Sequence, residues 1–181
     1  MARTRRWAGA LSPFLAASLL ASGCSVRKVA VNSLANALAA GGDTYATDDD
    51  PELVAAAIPF GLKTMEALLA ETPKHDGLLL AASSGFTQYA FAFVQAEADF
   101  VEEKDLARAT ALRARARKLY ARALQYGLRG LEARHPGFEA GLRDEARRGA
   151  TLAAATKTDV PLLYWMGAAW GLAAGVAARL C

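Results

Sequence analysis

Apolar residues recur along most of this chain at intervals of three and four, which is the spacing of one face of an α-helix. Alternating apolar and polar runs rich in β-branched residues, the pattern of a half-buried strand, do not occur. We therefore predict an all-α protein. Its helices are predicted at residues 25–40, 51–71, 78–102, 106–134, 138–148 and 160–178.

Capping residues and prolines mark the helix boundaries. Asp50 directly precedes Pro51 and Glu52, an order typical of a helix N-terminus. The acidic run that Asp50 ends could instead bind a cation, but capping and solvation are the preferred interpretation. Pro59 lies inside the second predicted helix and predicts a kink there.

The third predicted helix carries aromatic residues at spacings of three, four and seven, which predicts one stripe containing Phe86, Tyr89, Phe93 and Phe100. Such a stripe usually belongs to a core. The alternative is a ligand-binding groove, with polar groups from Ser83, Ser84, Thr87 and Gln88 beside it. On aromatic character and helical position, the candidates for a cavity lining are Phe86, Tyr89, Phe93, Tyr120, Tyr164, Trp165 and Trp170.

The fourth predicted helix contains Ala116, Tyr120 and Ala123, a small, aromatic, small triplet found in the second helix of tetratricopeptide repeats. Arginines recur on the same helix at every seventh position and form one slowly drifting ridge. The ridge could contact an acidic partner or an anionic ligand, or it could be a solvated face paired with Glu97, Asp99, Glu102 and Glu103. The partner-contact candidates are Arg108, Arg115, Arg122 and Arg129.

The last predicted helix, residues 160–178, has no charged residue. A transmembrane interpretation is disfavoured because most of its positions are alanine or glycine and its few Val and Leu residues contribute little to insertion. Gly167, Gly171 and Gly175 form a smooth face, which predicts close helix packing in a soluble all-helical fold.

The N-terminus has the organisation of an export signal. Arg3, Arg5 and Arg6 precede an apolar run over residues 7–21 and small residues before Cys24. We predict a lipoprotein signal peptide at residues 1–23, lipid attachment at Cys24 and a helical domain at residues 24–181. An ordinary cleaved signal, an anchor helix and twin-arginine export are the alternatives. With Cys24 acylated, Cys181 has no partner for an internal disulfide.

Charge and motifs exclude several functions. Of the 21 lysines and arginines, three lie in the predicted signal, and the remaining 18 balance the 18 acidic residues, so a nucleic-acid partner is not indicated. No nucleotide-binding, zinc-binding or nucleophile motif occurs, and His75 and His135 lie in proline-containing turns where solvation is usual. We predict no enzyme, no cofactor and no metal site.

Several segments together resemble the T-component family of TRAP transporters, often called TatT. These segments are residues 23–25, 50–54, 59–63, 66–69, 84–93, 115–123, 126–128 and 160–165. The resemblance covers the whole predicted mature chain. It implies stacked antiparallel helix pairs, a degenerate tetratricopeptide-like bundle.

The resemblance also implies a periplasmic, lipid-anchored accessory protein. Ser25, and not an aspartate, follows Cys24, which indicates an anchor in the outer membrane. Such a protein associates with the substrate-binding P-component of the transporter, encloses a hydrophobic small molecule and forms a homotrimer. Members of this family usually continue with further helix pairs after the segment like residues 160–171, so the domain is expected to be incomplete at its C-terminus. The alternative function is a structural tetratricopeptide-type lipoprotein that scaffolds an envelope complex without binding a small molecule.

Overall fold

Capped α-helices account for most of the residues that the computed structural model describes, which are 29–41, 45 and 47–180. No strand occurs among them, and the predicted all-α class is confirmed. The tetratricopeptide-like character of the helix pairs stays a prediction. Residues 1–28, with Cys24, and Cys181 lie outside the described residues, so the signal peptide and the lipid attachment also stay predictions.

Seven α-helices and one short 3-10 turn follow one another in the described part of the chain. They are α1 Val29–Ala40, α2 Pro51–Glu71, α3 Asp76–Val101, α4 Leu106–Arg134, α5 Phe138–Arg143, α6 Glu145–Ala153, the 3-10 turn Lys157–Asp159 and α7 Val160–Ala178.

Side-chain caps place the starts of the long helices. The Asp50 carboxylate accepts hydrogen bonds from the backbone N–H groups of Glu52 and Leu53, as capping predicted. Asp105 caps α4 through the N–H of Arg108 at 2.9 Å. The predicted bounds of α2, α4 and α7 are confirmed, and α2 continues through Pro59.

Helix α4 lies at the centre of the bundle, packed against α3 on one side and α7 on another, while α2 packs against α3. One core cluster joins α2, α3 and α4 around Leu62, Leu79 and Phe86. A second cluster joins α3, α4 and α7, and it includes the fully buried Ala116 and Tyr120. The small, aromatic, small triplet on α4 is therefore interior to the bundle.

The helix predicted at residues 78–102 contains a π-helical segment, Ala90–Gln95, in which the Ala96 N–H bonds to the Phe91 carbonyl five residues back. A π segment inserts an extra residue into the helical turn, which changes the face that later residues occupy. Phe100 is consequently 76% exposed, while Phe86 is buried. The prediction of one aromatic stripe that includes Phe100 is wrong for this reason.

The single helix predicted at residues 138–148 is instead two helices, α5 and α6. Asp144 separates them with an extended backbone, and its carboxylate accepts a 3.0 Å hydrogen bond from the Ala146 N–H. A short carboxylate can replace a lost helical hydrogen bond in this way, which favours a break where the apolar spacing alone continues. From the sequence pattern alone, an aspartate that caps a helix could not be distinguished from one in the interior of a helix.

Close helix packing occurs through glycines of α4 and not through the glycines of α7. An added Cβ at Gly127 would lie 2.9 Å from the Met166 Cβ of α7, and one at Gly130 would lie 2.8 Å from a Leu162 methyl. Added Cβ atoms at Gly167, Gly171 and Gly175 meet no atom within 4 Å, so their predicted packing role is wrong. These three glycines lie on the exposed side of α7, whose buried residues are Leu162, Ala169 and Val176.

Three helices of the described chain are long and apolar enough to cross a membrane by length and composition alone: Pro51–Glu71, Asp76–Val101 and Lys157–Ala178. The interpretation of residues 160–178 as a helix of a soluble bundle stays a prediction.

Replacing Gly127 with Ala will lower the free energy of unfolding by about 1–3 kcal/mol, because the new methyl overpacks the contact with Met166. The matched change Gly171→Ala, on the open face of α7, will raise it by about 0.5–1 kcal/mol through helix propensity. Denaturant unfolding of both variants measures this. Equal effects of the two substitutions would contradict the α4–α7 packing described above.

Candidate functional site

A cavity of about 420 Å³ lies among α1, α2, α3 and the first turns of α7. Its volume is within the range of small-molecule sites, about 300–1,000 Å³. The lining residues are Leu38, Ala39, Tyr45, Val54, Ile58, Gly61, Leu62, Met65, Gly77, Leu80, Ala81, Ser84, Gly85, Gln88, Ala92, Phe93, Pro161 and Trp165.

The described residues that line the cavity are apolar or neutral, and none of them carries a formal charge. Polar atoms come from Tyr45, Ser84 and Gln88. The Ser84 hydroxyl donates to the Ala81 carbonyl at 3.1 Å, which leaves its oxygen able to accept another hydrogen bond. The cavity is therefore suited to an apolar body with a small number of neutral polar groups.

Two of the seven aromatic candidates, Phe93 and Trp165, line this cavity. Phe86 lies in the core, stacked on Tyr126 with ring centroids 5.8 Å apart, and Tyr89 contacts Phe93 at the same centroid distance. Neither of these two rings lines the cavity.

The three remaining aromatic candidates lie elsewhere. Tyr120 is fully buried between α3, α4 and α7, where its hydroxyl donates to the Gln95 side chain at 2.7 Å. Burial raises the pKa of Tyr120 to about 12, with the Asp99 charge adding to the effect. Tyr164 and Trp170 are 63% and 68% exposed on the outer face of α7.

The polar candidates beside the aromatic residues divide in the same way. Ser84 and Gln88 line the cavity, whereas Ser83 and Thr87 are buried on the other side of α3. The Thr87 hydroxyl donates to the Ser83 carbonyl at 2.8 Å, and the Ser83 hydroxyl has no hydrogen-bond partner among the described residues.

Sequence reasoning missed the aliphatic wall that α2 provides, chiefly Ile58, Leu62 and Met65. An aliphatic helix face has the same sequence pattern whether it meets a core or a cavity, so only aromatic residues were predicted as the lining. The sequence signal that could have indicated this wall is the pair Gly61 and Gly85, since glycine permits the close approach of two helices. In the structure, an added Cβ at Gly85 would lie 2.9 Å from the Leu62 side chain.

A buried carboxylate fixes the start of α7 against the end of α4, beside the Pro161 and Trp165 wall. Asp159 is 1% exposed and accepts hydrogen bonds from Arg134 and from His135 Nε2, both at 2.9 Å, and from the Thr156 N–H at 2.8 Å. Burial by itself would raise the pKa of Asp159, but these hydrogen bonds outweigh it and hold the pKa well below its usual range. His135 is thus not the solvated turn histidine that the sequence indicated.

Three arginines of the predicted ridge lie over aromatic rings. The guanidinium of Arg115 is 5.8 Å from the Tyr89 ring centroid. The guanidinium groups of Arg122 and Arg129 are each 5.3 Å from a ring centroid, that of Phe86 and that of Tyr126 respectively. All three arginines are exposed in the bundle, so their guanidinium groups are positioned by the rings and still accessible.

The interpretation that the ridge pairs with the acidic end of α3 is only correct for Arg108, which contacts Glu97 at 2.9 Å. Arg113, which the sequence did not single out, takes Asp99 and Glu102 instead. Arg113 is 2% exposed, and its hydrogen bonds to these carboxylates raise its pKa further above the ordinary arginine value. Asp99 and Glu102 are therefore turned toward the core arginine and not toward the ridge.

No group of three or more His, Cys, Asp and Glu side chains that could hold a metal ion occurs in the described part of the chain.

Comparison with known proteins identifies a family match. The family model described as TRAP transporter T-component matches residues 47–178. A protein of Treponema pallidum (strain Nichols), described as uncharacterized, is 37% identical over 168 residues, which cover 84% of this chain and 52% of that relative. The chain thus spans about half the length of that relative.

The Asp159 cluster predicts an acid-sensitive contribution to stability. Asp159→Asn will lower the free energy of unfolding by about 2 kcal/mol at pH 7, because it weakens charge-assisted hydrogen bonds to a buried group. The folded carboxyl has a lower pKa than the unfolded one, so its stabilisation is present at neutral pH and is lost progressively below about pH 4. The difference between wild type and variant will therefore shrink on acidification.

Chemical denaturation at several pH values between 3 and 7 measures this difference. Glu139→Gln, which removes an exposed pairing with Arg143, is the control and will cost at most about 0.5 kcal/mol. If the difference in free energy of unfolding between wild type and Asp159→Asn grows toward acid pH, the role given to Asp159 is contradicted.

Proposed function

We propose a transport function from the premise that this chain belongs to the TRAP transporter T-component family. In this proposal it is a lipid-anchored accessory protein that binds the transporter's P-component and holds a hydrophobic ligand. T-components are accessory transport components and not enzymes, and the family indicates a periplasmic or envelope location. Lipid attachment at Cys24 and anchoring in the outer membrane are part of the proposal. The observation that carries it is the uncharged cavity of about 420 Å³.

Two features of the cavity support ligand binding. Its walls come from four helices, and the hydrogen bonds of Asp159 fix the start of α7, the helix that provides Pro161 and Trp165, so its shape is largely preformed. Gln88 and Ala92 are exposed although they line it, which gives a ligand a route from solvent. A purely structural scaffold needs no such space.

The arginine ridge is the proposed contact for the P-component. Arg115, Arg122 and Arg129 are spaced by seven residues, which corresponds to about 10.5 Å along a helix. The aromatic rings beneath them reduce the side-chain freedom that binding a carboxylate would otherwise remove. Arg115 and Arg129 form no ion pair with another residue of the described chain, so both keep their charge available to an acidic partner.

Charge reversal on the ridge tests the partner. The double variant Arg115→Glu, Arg129→Glu will reduce capture of the P-component encoded by the same genome by at least about tenfold, because attraction becomes repulsion. The control Arg143→Glu, Arg147→Glu reverses two exposed charges on α5 and α6 and will leave capture unchanged. Quantitative pull-down with the full-length protein measures both. Absence of the P-component from the wild-type pull-down would contradict the partner assignment.

Filling the cavity entrance tests the ligand. Ala92→Trp will reduce binding of the neutral apolar dye N-phenyl-1-naphthylamine by at least about tenfold, because the indole occupies the entrance. Ala121→Trp introduces the same side chain at an exposed position of α4 away from the cavity and will leave dye binding unchanged. Fluorescence titration measures both. Wild-type protein that does not bind the dye would instead support the structural scaffold.

A further inference from the structure

We propose that the cavity selects an uncharged ligand, with an apolar body and one neutral hydrogen-bonding group such as a hydroxyl or carbonyl, and that it rejects carboxylates and ammonium groups. The inference rests on the proposed function, in which the cavity holds a ligand, and it specifies the chemical class of that ligand.

The charges of α2 lie outside the cavity. Lys63 and Glu66 pair with each other, and Glu66 also accepts a 2.8 Å hydrogen bond from the Tyr126 hydroxyl. Burial acts to raise the pKa of Glu66, yet the Lys63 and Tyr126 hydrogen bonds lower it overall, so the carboxylate stays ionised in that cluster. Glu52 and Glu71 stand at the two ends of the helix.

The charges of α3 are paired away from the cavity. Asp76 binds Arg134, and Glu97 binds Arg108. Asp99 binds Arg113 and Arg179. His75 lies beside Gly77 at the cavity edge, where its Nδ1 accepts the Leu78 N–H at 3.2 Å in the helix cap.

The other two helices at the cavity, α1 and α7, contain no charged residue. Within Val29–Ala40 and Val160–Ala178 the sequence contains no acidic, basic or histidine residue. All four helices around the cavity therefore present neutral surface to it.

An ionised ligand group held inside this cavity, away from the opening at Gln88 and Ala92, would lose its hydration without gaining an opposite charge from the described lining residues. An isolated buried charge is costly enough that a carboxyl group binds in its protonated form instead. Above the carboxyl pKa, the apparent affinity of an acid then falls tenfold for each pH unit. A neutral hydroxyl carries no such penalty.

Gln88 supplies the matching neutral group. Its carboxamide has both donors and an acceptor, and it forms no hydrogen bond with another residue in the described part of the chain. The Tyr45 hydroxyl also lies at the wall, beside Gly61, where an added Cβ would be 3.3 Å from its oxygen. These groups can donate to and accept from a hydroxyl or carbonyl, but they cannot neutralise a charge.

The test compares ligands with the same eight-carbon chain and different heads. 1-Octanol will displace N-phenyl-1-naphthylamine from the mature protein equally well at pH 5.3 and pH 7.3. The carboxyl pKa of octanoic acid lies below both pH values, so octanoate will displace the dye roughly 50- to 100-fold less effectively at pH 7.3 than at pH 5.3, because its neutral fraction falls by about that factor. Octylamine, which is protonated at both pH values, will displace the dye only weakly at either pH.

The outcomes separate the two proposals. Octanoate that competes as well as 1-octanol at pH 7.3 overturns the selection for uncharged ligands and leaves the ligand-holding function standing. Wild-type protein that binds neither the dye nor 1-octanol overturns the ligand-holding function, and this inference with it.

A single added charge provides the second test. Gln88→Arg will strengthen octanoate binding at pH 7.3 by at least about tenfold, because the guanidinium pairs with the carboxylate at the cavity wall, and it will weaken 1-octanol binding, because the carboxamide acceptor is lost. Gln125→Arg, at an exposed position of α4 outside the cavity, is the matched control and will change neither. Equal octanoate binding by the two variants would count against a charge-selective cavity.

Discussion

The close approach of α4 and α7 is the constraint on which the rest of the structure depends. Gly127 and Gly130 let the α7 side chains Met166 and Leu162 lie directly on the α4 backbone, at distances that an alanine would already obstruct. Because this contact fixes α7 against α4, the first turns of α7 place Pro161 and Trp165 at the cavity wall. Asp159 then fixes the same end of α7 to Arg134 and His135 at the end of α4. The position of one cavity wall thus follows from two glycines and one buried carboxylate.

Helix α4 separates charge from apolar space in the described bundle. Its arginines pair with carboxylates of neighbouring helices, as Arg122 does with Glu66 of α2 and Arg113 with Asp99 of α3, and some of them lie over aromatic rings. This leaves α1, α2, α3 and α7 facing the cavity with neutral side chains. The proposed partner contact and the proposed ligand site therefore lie on different surfaces, and each can be altered without the other.

The fold class and the long helices were predictable because their signals are local. Asp50 with Pro51 marks one helix start, and Pro161 marks another, and caps of this kind act within a single turn. The π segment at Ala90–Gln95 and the break at Asp144 were not predictable from apolar spacing, because both keep a helix-like pattern while changing the hydrogen bonding.

The candidate site was predicted only in part, since a cavity depends on which helices meet. Of the aromatic candidates, Phe93 and Trp165 line the cavity, but Tyr120 has the same aromatic character and fills the core. Likewise the glycines of α7 have the regular spacing expected of a packing face, yet those of α4 make the contact. Periodicity identifies a face of a helix, and only the tertiary arrangement decides what covers it.

Native mass spectrometry of the full-length protein isolated from its own envelope tests the central claim most directly. We expect a non-covalent adduct that organic extraction releases and that carries neither a carboxylate nor an amine. A protein that is consistently free of any adduct, or whose adduct is an organic anion, would contradict it.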